Sequence, residues 1–309
     1  MLCAATFNAC DDSSLLTTRS TGRPYEVVVV NDCDGIVQDA LTRHVTALPQ
    51  REAMFDVTAV THGGDDLSRC PVRHARNIVT VSIDPKLWPK PKVMYERDTY
   101  ARPQIIIHVG APSAKALRTL LSGKGDGAYR GINTVGNLLT AQERACTEAE
   151  LRKRGNRDME RRVKDMFGID IHIPRDMKAH MEGKDFIWIS DDKPGFMRNI
   201  CVYTSENRDS VMKANIKGET DSMFMATNKA SLVTYACRTE NGTATVTRGL
   251  WEMRGGSMGG PFVSYAYSDT GRRRTVVVET FVFAPGRNKR TAIMQDEAAV
   301  ATVTFSQDK

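Results

Sequence analysis

The sequence predicts an α+β fold made of two similarly built halves, with mixed and antiparallel sheets, helices packed on them and a long helical connection. Three observations carry that expectation. A strand of four consecutive valines, Val27 to Val30, precedes a stretch with helical spacing, as in a unit whose sheet is covered on both faces. A helical run from about 137 to 167 divides the chain. Beyond it the sequence is strand-rich and carries two hairpin signals, which predicts an antiparallel meander.

The elements follow in order. Residues 11–22 are Ser/Thr-rich, acidic and non-periodic, and read as a tether to the strand at 25–31. Apolar residues at Ile36, Val37, Ala40, Leu41, Val45 and Leu48 predict a helix over 35–48, ended by Pro49. Strands are expected at 54–61, 76–83, 92–100 and 104–109, and a helix over 113–121 behind the start signal Ala111-Pro112. In the helical run, Leu138, Leu139, Ala145, Leu151, Met159, Val163 and Met166 supply the apolar positions, and Gly155-Asn156 a break. Further strands are expected at 169–173, 186–190, 200–204, 232–239, 243–253, 262–268 and 274–283. Asn241-Gly242 and Asp269-Thr270-Gly271 mark the turns. A helix over 288–299 and a short strand at 302–305 close the chain.

This organisation divides the chain into 1–22 as signal remnant and tether, 23–135 as an N-terminal α/β half and 136–309 as a C-terminal α+β half. Short echoes run through both halves in the same order: Met54-Phe55 with Met166-Phe167, Arg76-Asn77-Ile78 with Arg198-Asn199-Ile200, and Ala111-Pro112 with Ala284-Pro285. Internal duplication and chance both explain matches this short. Duplication predicts that 54–121 and 166–294 share strand order and direction.

Composition excludes several classes. The chain has 309 residues, 41% of them hydrophobic, enough to bury a core of two units. Its longest strongly apolar runs, 27–30 and 105–109, fall far short of the ~18 residues that cross a bilayer. The net charge of +6 is spread along the chain. Its densest basic segment, 152–164, is interleaved with Asp158 and Glu160 and reads as a solvated helix rather than a phosphate-binding face. No nucleic-acid partner is expected.

The cysteines Cys3, Cys10, Cys33, Cys70, Cys146, Cys201 and Cys237 include no CxxC pair. Cys201 and Cys237 read as small buried hydrophobes. Cys10 has a different setting. An apolar stretch from Leu2 to Phe7, the small Ala9, then Cys10 and the polar run Asp11-Asp12-Ser13-Ser14 follow the order of a bacterial lipoprotein signal, without a basic n-region and with a short apolar part. Cys10 is the expected lipidation site.

Few motifs carry chemistry. Gly255-Gly256-Ser257-Met258-Gly259 satisfies GxSxG, but a strand start follows where the nucleophile elbow needs a helix, and no His follows the Ser. A Gly-rich connection between strands is the plainer reading. His62, Asp65, Asp66, Cys70 and His74 include metal-ligand types at a spacing that fits no known site. Asp191-Asp192 sits beside the turn signature Lys193-Pro194-Gly195. Gly123-Lys124-Gly125-Asp126-Gly127 lacks the GK[ST] ending of a phosphate loop. No catalytic residue, metal or cofactor is expected.

Segments at Gly22 to Val27, Arg198 to Ile200, Arg208 to Ile216, Arg248 to Met253 and Met258 to Ser264 resemble a Bacteroidetes lipoprotein family, the domain-of-unknown-function family 4837. The resemblance covers Arg23 to the C-terminus. It implies an envelope protein and no established activity. The sequence departs from the family in a shortened signal, a shorter connection from Tyr203 to Arg208, and Lys217 in place of proline.

The functional expectation is a membrane-anchored envelope lipoprotein on the periplasmic or outer-membrane face, cytoplasmic if Met1 is a genuine start with no signal. It would be a non-catalytic module that binds an envelope protein or glycan, touching the membrane only through its lipid. Arg198, Arg208, Asp209, Trp251, Glu252 and Tyr265 form the candidate ligand surface. The competing expectations are an envelope hydrolase using Ser257 or a carboxylate pair, and a nucleic-acid-binding protein.

Overall fold

The computed structural model describes residues 18–64, 66–122, 131–220, 222–239 and 241–306, with the side chains of 131–133 left aside. Cys10 with most of the tether, Asp65 and the glycine run from Gly123 to Gly127 lie outside the described residues.

The first half is built on a five-stranded sheet. β1 (Glu26–Val30), β2 (Asp56–Val60), β3 (Asn77–Ile83), β4 (Lys92–Arg97) and β5 (Ile105–Ala111) are ordered β2-β1-β3-β5-β4, with β4 antiparallel to β5 and the other neighbours parallel. The valine run of β1 is explained by this burial. Val27 and Val29 enter the main core while Val28 and Val30 pack on the opposite face under Leu67, Cys70 and Ala75. On the main-core side lie α1 (Ile36–Leu41) and α2 (Ala114–Ser122).

The helix expected over 35–48 stops at Leu41. Thr42 closes it, after which the chain doubles back: Val45 N–H donates to Glu52 O at 2.9 Å and Met54 N–H to Arg43 O at 2.9 Å. Leu48 therefore reaches the core from this excursion, and its helical spacing from Leu41 is coincidental.

α3 (Gly131–Arg154) and α4 (Arg157–Phe167) realise the long helical connection, broken where Gly155-Asn156 predicts. Asn156 is the cause. Its side-chain oxygen accepts from Met159 N–H at 3.3 Å and its amide donates to Met177 O at 2.7 Å. The boundary expected between 135 and 136 falls within α3, which packs on α1, α2 and β5 as well as on the last helix.

The second half is a seven-stranded, wholly antiparallel sheet ordered β10-β11-β12-β13-β9-β8-β7. Its strands are β7 (Ala179–Gly183), β8 (Phe186–Ser190), β9 (Met197–Tyr203), β10 (Phe224–Thr239), β11 (Gly242–Arg254), β12 (Gly259–Asp269) and β13 (Arg274–Phe283). The run expected as a strand at 169–173 pairs only through β6 (Ile169–Asp170), against β14 (Thr304–Phe305). One sheet face packs on α4 and α6 (Arg290–Val300), the other on α5 (Arg208–Asn215) through Met212 and Ile216. Neither β7 nor α5 is legible in the sequence. β7 is exposed along most of its length and α5 fully buries only Met212, so neither has an apolar period to read.

The α+β class holds, with one mixed and one antiparallel main sheet. The shared order that duplication requires is absent, since parallel neighbours dominate the first sheet and the second has none. The echoed tripeptides thus mark generic strand and helix starts. The helices other than α5 pack in the core shared by the two sheets, which runs continuously from Tyr25 to Val303. Among the described residues no helix is long and apolar enough to cross a membrane.

Candidate functional site

The residues expected to share a ligand surface fall in separate places. Trp251 and Tyr265 are core residues on opposite faces of the second sheet. The Trp251 indole N–H donates to Val282 O at 3.3 Å and its ring meets Phe281 edge-on at 5.5 Å. The Tyr265 hydroxyl donates to Glu297 Oε1 at 2.8 Å, and burial pushes the phenol pKa well up. Glu252 sits half-buried at the end of β11, 3.1 Å from Arg254.

Arg208 and Asp209 meet on the outer face. Arg208 donates to both oxygens of the fully buried Glu279 at 2.8 and 2.7 Å and to Thr227 Oγ1 at 2.7 Å, with its guanidinium 3.9 Å from the Phe262 ring centre. Thr227 in turn donates to Asp209. Every strong partner here is internal, so this cluster fastens α5 to the sheet.

Arg198 lies elsewhere, on a groove of about 940 Å³ walled by both halves. Its guanidinium collects three carboxylates: Nη1 donates to Asp296 Oδ1 at 3.0 Å, Nε to Asp191 Oδ2 at 3.3 Å and Nη2 to both Asp176 oxygens at 2.8 Å. Lys193 Nζ lies 2.7 Å from Asp176 and 3.3 Å from Asp191. The pair Asp191-Asp192 expected only to form a turn thus places Asp191 in a charged network. Burial opposes ionisation of Asp176, yet Lys193 and Arg198 outweigh it and hold its pKa below the usual carboxylate range.

Asp296 behaves differently. Burial of its side chain, reinforced by the Asp191 and Asp176 charges, pushes its pKa up to about 7 against the pull of Arg198. Its Oδ2 has no hydrogen-bond partner. A second such cluster stands on the same groove wall, where Arg76 Nε lies 3.0 Å from Oε1 of the fully buried Glu143 without the alignment of a hydrogen bond. Asn77 donates to that same oxygen at 2.7 Å, leaving Glu143 Oε2 and Asn77 Oδ1 unpartnered. Unspent buried polar atoms are uncommon in folded proteins; here Arg76 and Asp296 line the groove while the unpartnered atoms themselves are shielded from solvent.

The groove lining carries exposed charges of both signs. Arg19, Arg154, Arg175 and Lys178 supply the cations, and among the described residues Arg175 and Lys178 form no ion pair. Asp176, with 45% of its side chain exposed, and Glu150, with 61%, offer carboxylate oxygens. Sequence reasoning missed this site except for Arg198. The available signal was the acidic pair Asp296-Glu297 set between the apolar runs Ala292–Met294 and Ala298–Val300 of α6.

Two other expectations have structural outcomes. Ser257 is exposed on the turn joining β11 and β12, and among the described residues no acid or base hydrogen-bonds its hydroxyl. That overturns Ser257 as an activated nucleophile. In the loop holding His62, Asp66, Cys70 and His74, Cys70 is buried and His62 Nε2 lies 3.0 Å from Asp66 O. No cluster with metal-holding geometry occurs among the described residues. Most charges of the basic segment are paired: Arg157 with Glu160, Arg161 with Asp158, Arg162 with Glu182 and Lys164 with Asp170.

Comparison with known proteins separates the same two halves. Residues 156–302 match the family model described as Domain of unknown function (DUF4837), and residues 20–142 match Domain of unknown function (DUF8532). The first agrees with the resemblance read from the sequence but covers a shorter stretch. The motif from Gly22 to Val27 falls in the second. No curated protein matches the chain.

Proposed function

We propose that this chain is a non-catalytic binding module of the cell envelope, a lipoprotein tethered through Cys10, whose ligand site is the groove between its halves. One observation carries the binding role: a groove of about 940 Å³ drawn from both halves is lined by exposed charged side chains of both signs, Arg175 and Lys178 without an ion pair among the described residues and Asp176 and Glu150 with carboxylates open to solvent. The same geometry favours binding over catalysis. Asp296, whose raised pKa suits a general acid, is completely shielded from solvent, and Arg198 occupies its other oxygen. The envelope assignment rests on the lipoprotein-like order around Cys10 and on the family resemblance. A lipid there would hold the folded body at a membrane surface, each buried CH₂ contributing ~0.8 kcal/mol.

The test has two arms. Expressed with its native upstream region, the wild type is expected in the membrane fraction and Cys10→Ser in the soluble fraction; equal release of both would sink the anchor. For the site, backbone NMR shifts are followed while soluble envelope glycan fragments are added. Shifts are expected at Thr147 and Gln295 on the groove wall and not at Thr245 on the outer face. Shifts at Thr245 alone, or none with any fragment, would reject the groove.

A further inference from the structure

We infer that the groove selects an acidic saccharide, a ligand that combines carboxylate groups with a hydroxylated chain. This rests on the groove being the binding site and adds the class of ligand. The exposed charges of the groove set the complementarity a ligand must meet. Arg19, Arg175 and Lys178 on its lining present cationic donors and no acceptors, so the group that meets them is an anion. Asp176 and Glu150 on the same lining are partly exposed carboxylates, Asp176 held by Arg198 and Lys193 and Glu150 by Arg154, and they repel an anion brought alongside them. Neutral hydroxyl donors reach their remaining lone pairs without displacing those cations. A bare phosphate or small carboxylate satisfies the cations and leaves the carboxylates facing charge. A neutral sugar satisfies the carboxylates and leaves Arg175 and Lys178 unpaired. A uronate-type saccharide supplies both within one chain.

The surfaces between the charges fit as well. Pro24, Pro103, Pro174 and Leu151 line the groove and offer apolar contact to the C–H faces of sugar rings. The groups behind the wall hold the pattern in place. Asp191 and Lys193 on the 191–193 turn, together with Arg198 on β9, orient Asp176, while Glu143 on α3 backs Arg76. An incoming carboxylate also meets a cluster in which Asp296 adds little negative charge when it holds a proton.

Isothermal titration of the full chain with trigalacturonate, maltotriose and inorganic phosphate at low salt tests the inference. Trigalacturonate is expected to bind at least ~10-fold more tightly than either of the others and to weaken as salt rises. Arg175→Ala/Lys178→Ala is expected to lower trigalacturonate affinity about tenfold and to flatten its salt dependence. Asp176→Asn is expected to weaken it with the salt dependence kept. Lys229→Ala, on the outer face, serves as the control, and thermal melts confirm that each variant is folded. Maltotriose binding as tightly as trigalacturonate, with groove variants still weakening both, would overturn the acidic class and leave the groove as the site. Phosphate binding as tightly would reduce the site to a simple anion contact and overturn the saccharide. Binding that ignores every groove variant, or no binding of any probe, would remove the inference and the groove together.

Discussion

Asp296 is a residue whose environment costs stability over a definable pH range. Its carboxyl titrates at about 7 in the folded protein and near ~3.9 in an unfolded chain. Between those values the folded state holds a proton that the unfolded state has released, so stability falls as pH rises through the window and levels off above it. Arg198, Asp191, Asp176 and Lys193 surround the carboxyl, and Asp176 is held below the usual carboxylate range by Lys193 and Arg198, a shift of the opposite sign. Asp296→Asn keeps an acceptor for Arg198 and cannot ionise. Its stability relative to the wild type, from urea melts, is expected to climb between pH 5 and pH 7 by up to ~1.4 kcal/mol per unit and to level off above. Parallel pH profiles for the two proteins would refute this. At the same scale Arg208 and Glu279 show why a charged residue in a sequence motif need not touch a ligand. Their bond is buried and bidentate, and loss of either partner would strand the other's charge.

Among the elements, β12 is the most constrained by its neighbours. Gly260 stands directly opposite Trp251 in register, and a methyl group there would lie 1.9 Å from Val282 O, a backbone atom of β13 with no freedom to retreat. Gly260→Ala is expected to destabilise by about 2–3 kcal/mol and to disturb the Trp251 indole bond to Val282, read by denaturant melts and tryptophan fluorescence. An unchanged melt would show that the sheet relaxes. The turn reading of the neighbouring glycines was legible beforehand because Gly255 needs a positive φ of 77°. So were the four-valine strand and the helix break at Asn156, each fixed by residues adjacent in the chain. The hairpin expected at Asn241-Gly242 forms one residue earlier, with Gly242 already paired to Thr239. What local pattern could not show was pairing over long separations. Arg198 and Asp296 are 98 residues apart, and Arg76 and Glu143 meet only because α3 packs on β5, the neighbour of β3. The candidate site was illegible for that reason, apart from one arginine.

The whole molecule is fastened by a contact that crosses its halves. α6 has no capping side chain of its own, and Glu52 of the first half accepts from the backbone N–H of Lys289 at 2.9 and 2.8 Å and of Arg290 at 2.7 Å. Arg290 returns the contact, donating to Met54 O at 2.8 Å and Asp56 Oδ2 at 2.7 Å. Glu52→Ala would leave those buried N–H groups without acceptors, at a cost of about 2–4 kcal/mol. Because one core spans both halves, the loss is expected to lower a single transition in calorimetry rather than split it. Two separated transitions in the wild type would show that the halves unfold independently. The contact also has a consequence for how the chain is made. Glu52 leaves the ribosome more than two hundred residues before the backbone donors that satisfy it, so the first half spends most of synthesis with that carboxylate unanswered. Chain ends placed anywhere before residue 289 would keep it so, and a nascent chain halted there would present an unfinished seam to proteases and chaperones.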